Sequence, residues 1–444
     1  MWEAGSSTNF DITYQECNSM TPHLPFLMGN QFDVQAYADK YPSRTKIIRL
    51  LSIAHHCHGH NDDRELEALK IAYKEAKKGK DVQLFATVVE KINGRLSPEY
   101  DMDEDWCNEV IRNWKENRVR LGEEASKCQD DYEKGLAYAE EDTKAACKKA
   151  ANMFYMHGET DAARVWYLAT IRYCRVELEY WEMFMRFVLL FIEWGNFPRA
   201  QYTAIEGLKH KQDFNMDSFT ENTIHSTIGL TSIRHRSFTH AALRFLQTGK
   251  EVGNQFSMIL ADHDIATYGA LCTLATFEQE ELQDCIFENK DFQSYLDSMI
   301  EVKELLHDFC SRDYSSVFRR LANLREWLLF DIHLFDRFEE LHKKIRNKAI
   351  VQYVRPFSVI DLKTMAEIFN TSVEDLKKEL VALILDNQIK AKIDSIQNVL
   401  HVRRDDTIAN FKKLLERCSE IERDAKTILL FNAVFNYPFV RNEE

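Results

Sequence analysis

Residues 55–60 read HHCHGH, where the side chains best suited to bind a metal ion stand close together. A zinc site needs about four such ligands that converge, and they usually come from two different elements. Here they crowd one end of a predicted helix, and no Cys/His pair at ligand spacing lies elsewhere. We therefore expect a solvated helix terminus at this place rather than a metal site.

Other catalytic patterns are missing from the sequence. It contains no H-E-x-x-H, no G-x-S-x-G, no phosphate-binding glycine loop and no dinucleotide fingerprint. Acidic side chains are plentiful, as in any acidic helical protein, so carboxylate pairs identify nothing. We predict no catalytic residue, no metal ligand and no cofactor, and hence that the chain is not an enzyme.

Composition indicates a helical, intracellular protein. The 444 residues include only 14 Gly and 7 Pro, which favours long helices with few tight turns. The formal net charge of −14 argues against nucleic acid and favours basic protein partners. Ten scattered cysteines without a C-x-x-C pair are typical of reduced thiols. We find no secretory leader and no membrane span, and expect the protein in the cytoplasm and nucleus.

The first third of the chain divides into an arm and a helical region. Residues 1–30 lack periodicity and are predicted to form a flexible N-terminal arm. From residue 31 apolar residues return at three- and four-residue spacing, which predicts an N-terminal helical region over 31–140.

A repeat follows over residues 141–345. The segments GETDAA, GNFPRA and RSFTHA begin at Gly158, Gly195 and Arg236, and each has an alanine five positions later. Their intervals of about 40 residues lie near the 34-residue period of tetratricopeptide repeats. We predict a TPR-like helical solenoid; an irregular helical bundle is the alternative.

The pattern changes over residues 346–404. SVIDLKTMAEIFN (358–370) predicts a short helix capped by Ser358, and TSVEDLKKELVALILDN (371–387) a second with Thr371 and Glu374 as a capping box. QIKAKID and NVLHVRR then alternate with period two and predict a hairpin. Two helices and a hairpin form a winged helix, and the fold class is therefore mainly α.

Winged helices often read DNA, but this one has the wrong charges. Its second helix carries four acidic residues against Lys377 and Lys378 and would repel a phosphate backbone. A hairpin also presents an edge strand, whose free backbone groups can pair with another edge. The predicted partner interface on this strand consists of Ile389, Lys390, Ala391, Lys392 and Ile393.

Helical repeats that end in a winged helix resemble the PCI family of scaffold proteins, found in the proteasome lid, the COP nine signalosome and a translation initiation factor. The resemblance covers most of residues 31–404 and is closest to signalosome members. It rests on FDVQAYADKYPSRTKIIRLLSIAHHC (32–57), DIATYGALCTLATFEQEEL (264–282), IRNKAIVQYVRPFS (345–358) and MAEIFNTSVEDLKKELVALILDNQIKAKIDS (365–395).

This resemblance implies a non-catalytic scaffold subunit that supports removal of a ubiquitin-like modifier from cullins (deneddylation). Its partners would be other PCI subunits, a metalloprotease subunit indirectly, and a cullin-RING ligase as substrate of the complex. The alternatives are a proteasome lid scaffold subunit, a free-standing DNA-binding winged-helix protein and a hydrolase using HHCHGH.

The signalosome peptidase holds zinc with a His-x-His motif and with a Ser and an Asp further on. His56–Cys57–His58 has the histidine spacing, but Leu66 and Leu69 stand where the Ser and Asp are expected. The metalloprotease motif therefore fails in this chain.

The region 405–444 predicts one long C-terminal helix. Its apolar positions keep three- and four-residue spacing and include Phe411, Leu415, Ile421 and Ile428. Such a stripe is normally buried, either on the chain's own domain or against helices of other subunits. The family resemblance implies the second arrangement, a bundle that ties subunits together.

Overall fold

The computed structural model describes residues 33–59, 61–134, 139–210, 216–249, 258–403 and 407–436. These contain twenty α-helices and three short β-strands, and the chain divides into two compact units after Arg346. Across these residues, no helix has the length and apolar character needed to cross a membrane. The predicted arm, residues 1–30, lies outside the described ranges.

The first unit begins with four helices: α1 (Val34–Ala38), α2 (Ser43–Cys57), α3 (Asp62–Lys78) and α4 (Val82–Ile92). The side chains of Asp33, Asn61 and Asp81 accept hydrogen bonds from backbone N–H groups and so cap α1, α3 and α4. Their apolar faces close over one core that includes Leu50 and Phe85.

Paired helices follow as α5 (Glu104–Glu133), α6 (Ala139–Met156), α7 (Thr160–Tyr173), α8 (Glu177–Glu193), α9 (Phe197–Lys209), α10 (Ser218–Arg234) and α11 (Phe238–Leu246). The three predicted turns share one geometry. Gly158, Gly195 and Arg236 have φ values of 81°, 67° and 60°, the left-handed conformation that ends a helix. Five residues later, Ala163, Ala200 and Ala241 are fully buried, because a methyl group lets the paired helices approach.

The rest of the first unit comprises α12 (Asp262–Thr276), α13 (Gln279–Leu282), a π-helical turn (Gln283–Phe287), α14 (Lys290–Asp297), α15 (Ile300–Cys310) and α16 (Tyr314–Leu328). A fourth turn of the same kind joins α15 to α16. Arg312 has φ 62°, and the Asp313 N–H donates to the Asp308 carbonyl as at the other turns. Buried Val317 occupies the place of the alanine.

The second unit is a winged helix. After α17 (Phe338–Val354) come β1 (Val359–Asp361), α18 (Leu362–Ile368), α19 (Val373–Leu385), β2 (Ala391–Asp394), β3 (Val399–Val402) and α20 (Thr407–Asn436). The three strands form an antiparallel sheet in the order β1-β3-β2. The predicted combination of helical repeats, winged helix and C-terminal helix is thereby confirmed.

Two local predictions in this unit are wrong. Ser358 does not cap a helix, because residues 359–361 pair with β3 and Asp361 instead caps α18. The sheet thus contains a third strand besides the two of the predicted hairpin. The cap of α19 is Ser372 with Asp375, one residue after the predicted pair of Thr371 and Glu374.

Candidate assembly interface

Strand β2 lies at one edge of the winged-helix sheet, and its pairing shows which backbone groups point outward. The Arg403 N–H donates to the Lys390 carbonyl at 2.7 Å, and Lys392 lies opposite His401. Hydrogen-bonding direction alternates along an antiparallel strand. The N–H groups of Lys390 and Lys392 therefore face β3, whereas those of Ala391 and Ile393 face outward, where no described strand pairs with them.

Side chains of the five predicted interface residues divide into two groups. Ile389 is buried and its N–H donates to the Leu383 carbonyl, so this residue belongs to the core of its own unit. Lys390 and Lys392 are exposed, and Ala391 and Ile393 are partly buried. The strand thus offers a small, flat edge flanked by lysine side chains.

A second edge at β1 was not foreseen. The Val402 N–H donates to the Ser358 carbonyl, so by the same alternation the backbone groups of Val359 face away from β3. Val359 and Phe357 are exposed apolar residues beside this edge. A three-residue strand is too short to show a period-two pattern, and no other feature of these residues signals it.

The exposed side of α19 is apolar rather than basic. Val381 and Leu385, one turn apart, are exposed, the latter by 75%. Lys377 donates to the Asn398 side chain at 2.6 Å and so supports the hairpin turn, and Lys378 pairs with Asp375. An apolar and acidic face of this kind fits a protein surface better than a phosphate backbone.

Helix α20 exposes its apolar stripe. Every residue from 414 to 429 is exposed, including Leu415, Ile421 and Ile428, so no described part of the chain covers this stretch. The side chain of Phe411 lies outside the described residues. An amphipathic helix normally buries such a stripe, and the described residues leave this one free to contact a partner.

In the HHCHGH segment, His56 and Cys57 pack within the first unit, whereas His55, His58 and Gly59 are exposed. The rings of His56 and Phe335 lie with centroids 3.6 Å apart, and burial lowers the pKa of His56 to about 4. Cys57 is buried, and His58 Nδ1 lies 3.1 Å from a carboxylate oxygen of Glu65. His60 lies outside the described ranges, and the described residues contain no cluster of three or more potential metal ligands.

A buried polar cluster in the first unit was missed by sequence reasoning. Arg49 of α2 contacts Asp264 at 2.9 Å and Asp331 at 3.1 Å, and all three side chains are buried. The hydroxyl of Tyr268 donates to Asp331 at 2.7 Å. Burial alone would raise the pKa of Asp331. The Arg49 guanidinium nevertheless holds this pKa below its ordinary value. The cluster joins α2 to α12 and to the segment before α17.

Comparison with known proteins relates the chain to one family. A family model described as PCI domain matches residues 314–404, and another, 26S proteasome subunit RPN7, matches residues 103–285. COP9 signalosome complex subunit 1 of Arabidopsis thaliana is 38% identical over 410 residues, which cover 91% of this chain and 90% of that protein. The chain belongs to the COP9 signalosome subunit 1 family.

Among more distant relatives, a signalosome subunit matches more of the chain than a proteasome subunit does. The subunit 1 of Emericella nidulans is 26% identical over 433 residues, covering 94% of this chain and 85% of that protein. The 26S proteasome non-ATPase regulatory subunit 6 of Caenorhabditis elegans is 24% identical over 208 residues, covering 45% and 50%. The resemblance to signalosome members is confirmed, and the proteasome relationship is the more remote one.

Proposed function

We propose that this chain is a non-catalytic scaffold subunit of the COP9 signalosome that supports the removal of a ubiquitin-like modifier from cullins. The observation that carries the proposal is the outward-facing backbone of Ala391 and Ile393 on an edge strand of a PCI winged helix. That edge pairs with the winged helix of a sister PCI subunit and extends the sheet from one subunit to the next.

Helix α20 supplies the second attachment. Its exposed stripe, with Leu415, Ile421 and Ile428, packs against C-terminal helices of other subunits in a bundle. Two attachments on one chain add their effects, because binding at one site raises the effective concentration at the other. This arrangement supports assembly without requiring either contact to be strong alone.

Catalysis in this proposal belongs to a metalloprotease subunit, which this chain reaches indirectly, and the cullin-RING ligase is the substrate of the whole complex. The failed His-x-His motif, with Leu66 and Leu69 in place of the Ser and Asp, supports a non-catalytic role. The complex acts in the cytoplasm and nucleus, and the chain engages neither nucleic acid nor membrane.

A scaffold role in the proteasome lid is the alternative, and the match of residues 103–285 to the proteasome subunit model favours it. Affinity purification of the full chain from cells of its source, followed by mass spectrometry, separates the two. We expect sister PCI subunits, a metalloprotease subunit and cullins, without proteasome ATPases. Recovery of proteasome ATPases in place of cullins would overturn the signalosome assignment.

A further inference from the structure

The second helices of three repeats, α7, α9 and α11, carry matching exposed residues. Counted from the buried alanine of each repeat, the position two residues later is Val165, Tyr202 or Leu243. These side chains are 55%, 67% and 46% exposed. Two residues turn a helix by about 200°, so each side chain points away from the core. An apolar row therefore follows the outer side of the repeats.

A basic position lies on the same side of two of these helices. Nine residues after the alanine stand Arg172 in α7 and Lys209 in α9, both exposed. They lie about 10 Å along the helix from the apolar position and point in the same direction. Arg172 has no carboxylate within salt-bridge distance among the described residues. Among the described residues, the carboxylate that pairs with Lys209 is Glu206 of the same helix, an exposed pair of little strength.

The charge of these helices contrasts with the rest of the chain. Helices α7 and α9 each have two basic residues against one acidic residue, and α11 has Arg244 and no acidic residue. Helix α8, between them, has four glutamates against one arginine, and the whole chain carries −14. A basic strip on an acidic protein selects for an acidic partner.

The fourth repeat shows where this surface ends. Two residues after Val317, the counterpart of the buried alanines, stands Arg319, which is exposed. The apolar row thus stops after Leu243 and is confined to three consecutive repeats. Tyr202 occupies its middle, and tyrosine is enriched among the residues that dominate binding energy at interfaces.

We propose that this outer repeat surface, formed by Val165, Tyr202, Leu243, Arg172 and Lys209, binds an acidic peptide segment of a partner protein. Bulky apolar side chains of the segment pack on the row centred on Tyr202, and its carboxylates pair with Arg172 and Lys209. The surface lies in the first unit, whereas the strand edge and α20 belong to the second. It is a recruiting site that does not depend on the scaffold assignment.

Selection of displayed random peptides against the full chain tests the proposal. We expect the enriched peptides to combine Asp or Glu with Phe, Leu or Tyr. A synthetic copy of the leading peptide should bind Tyr202→Ser about tenfold or more weakly than the unchanged chain. Arg172→Glu with Lys209→Glu should weaken it similarly, and added salt should reduce binding because the charges are screened.

Leu178→Ser and Arg112→Glu are the matched controls, since both residues are exposed on helices outside this surface. They should bind the peptide as the unchanged chain does. Enrichment of neutral or basic peptides, no enrichment at all, or equal binding by all variants would refute the proposal. A concentration-dependent dimer that Tyr202→Ser abolishes would refute it too and assign the surface to a second copy of the chain.

Discussion

Arg49 Nη2 lies 2.9 Å from Oδ2 of Asp264, a residue 215 positions later in the chain, and both side chains are buried. The same guanidinium stacks over the ring of Tyr41 with its central carbon 3.9 Å from the ring centroid. One side chain thus connects the N-terminal helices to the last repeats. Removing it leaves Asp264 and Asp331 as buried carboxylates without a cation.

Arg49→Met should destabilise the first unit by roughly 3–5 kcal/mol, the usual cost of breaking a buried ion pair by removing one partner. Urea unfolding followed by circular dichroism measures the change. Arg112→Met, at an exposed position, is the control and should change the free energy of unfolding by less than about 0.5 kcal/mol. Equal midpoints for the two variants would show that the cluster adds nothing to stability.

The stability of the first unit should fall as the solution is acidified from neutral pH. Burial and the nearby Arg49 lower the pKa of His333 to about 3. The folded state therefore keeps this imidazole neutral, whereas the unfolded chain protonates it below about pH 6.5. The contribution of the neutral His333 to the free energy of unfolding is fully present above pH 6.5. It is lost progressively as the pH falls towards 3.

His333→Gln isolates this effect, because the variant cannot gain the proton. At about pH 5 the unchanged chain should lose about 2 kcal/mol more, relative to neutral pH, than the variant does. The other groups that face His333, Asp331, Arg49 and Arg234, are present in both proteins. If the free energy of unfolding changed with pH in the same way in both proteins, protonation of His333 would not contribute to the pH dependence.

Proline substitutions in β2 should separate folding from assembly. Ala391→Pro removes an outward N–H, so the unit stays folded while co-purification of sister PCI subunits is lost. Lys392→Pro removes an N–H that faces β3 and should destabilise the winged helix by roughly 1–3 kcal/mol, the usual cost of a lost hydrogen bond that leaves its partner unsatisfied. Thermal melting and co-purification of each variant are the two measurements.

Lys378→Glu serves as the charge control on α19 and should affect neither property. Lys377 is unsuitable for this purpose because its side chain supports the hairpin through Asn398. If Ala391→Pro assembled normally, or if Lys378→Glu were the variant that failed, edge pairing would not be the mode of assembly.

Charged residues in the stripe of α20 should prevent assembly without unfolding the chain. Leu415→Glu combined with Ile421→Glu places charges at exposed apolar positions, so the thermal midpoint of the isolated chain should be unchanged. Co-purification of sister subunits should drop sharply. Glu416→Gln, on the same exposed helix, is the control, and a lower midpoint in the double variant would mean that α20 packs on its own chain.

Local sequence patterns made much of the fold predictable. Contacts between residues far apart in the chain were not predictable from such patterns. Gly158 and Gly195 signalled their turns because left-handed backbone favours glycine, whereas Arg312 adopts the same conformation without any signal. The edge strand was predictable from the alternation at residues 388–394. The burial of Ile389 in the core of its own unit was not predictable from that alternation. The cluster around Arg49 could not be foreseen, since its partners are set by packing of helices far apart in sequence.

Arg49 also constrains how the protein folds during synthesis. It leaves the ribosome 282 residues before Asp331, the later of its two carboxylate partners. At about 5–20 residues per second this interval lasts roughly 15 to 55 s. Throughout it, α2 can already pack on α3 and α4, but the Arg49 guanidinium lacks both carboxylates that pair with it in the finished protein. This part of the first unit therefore reaches its final stability only after the last repeats have emerged.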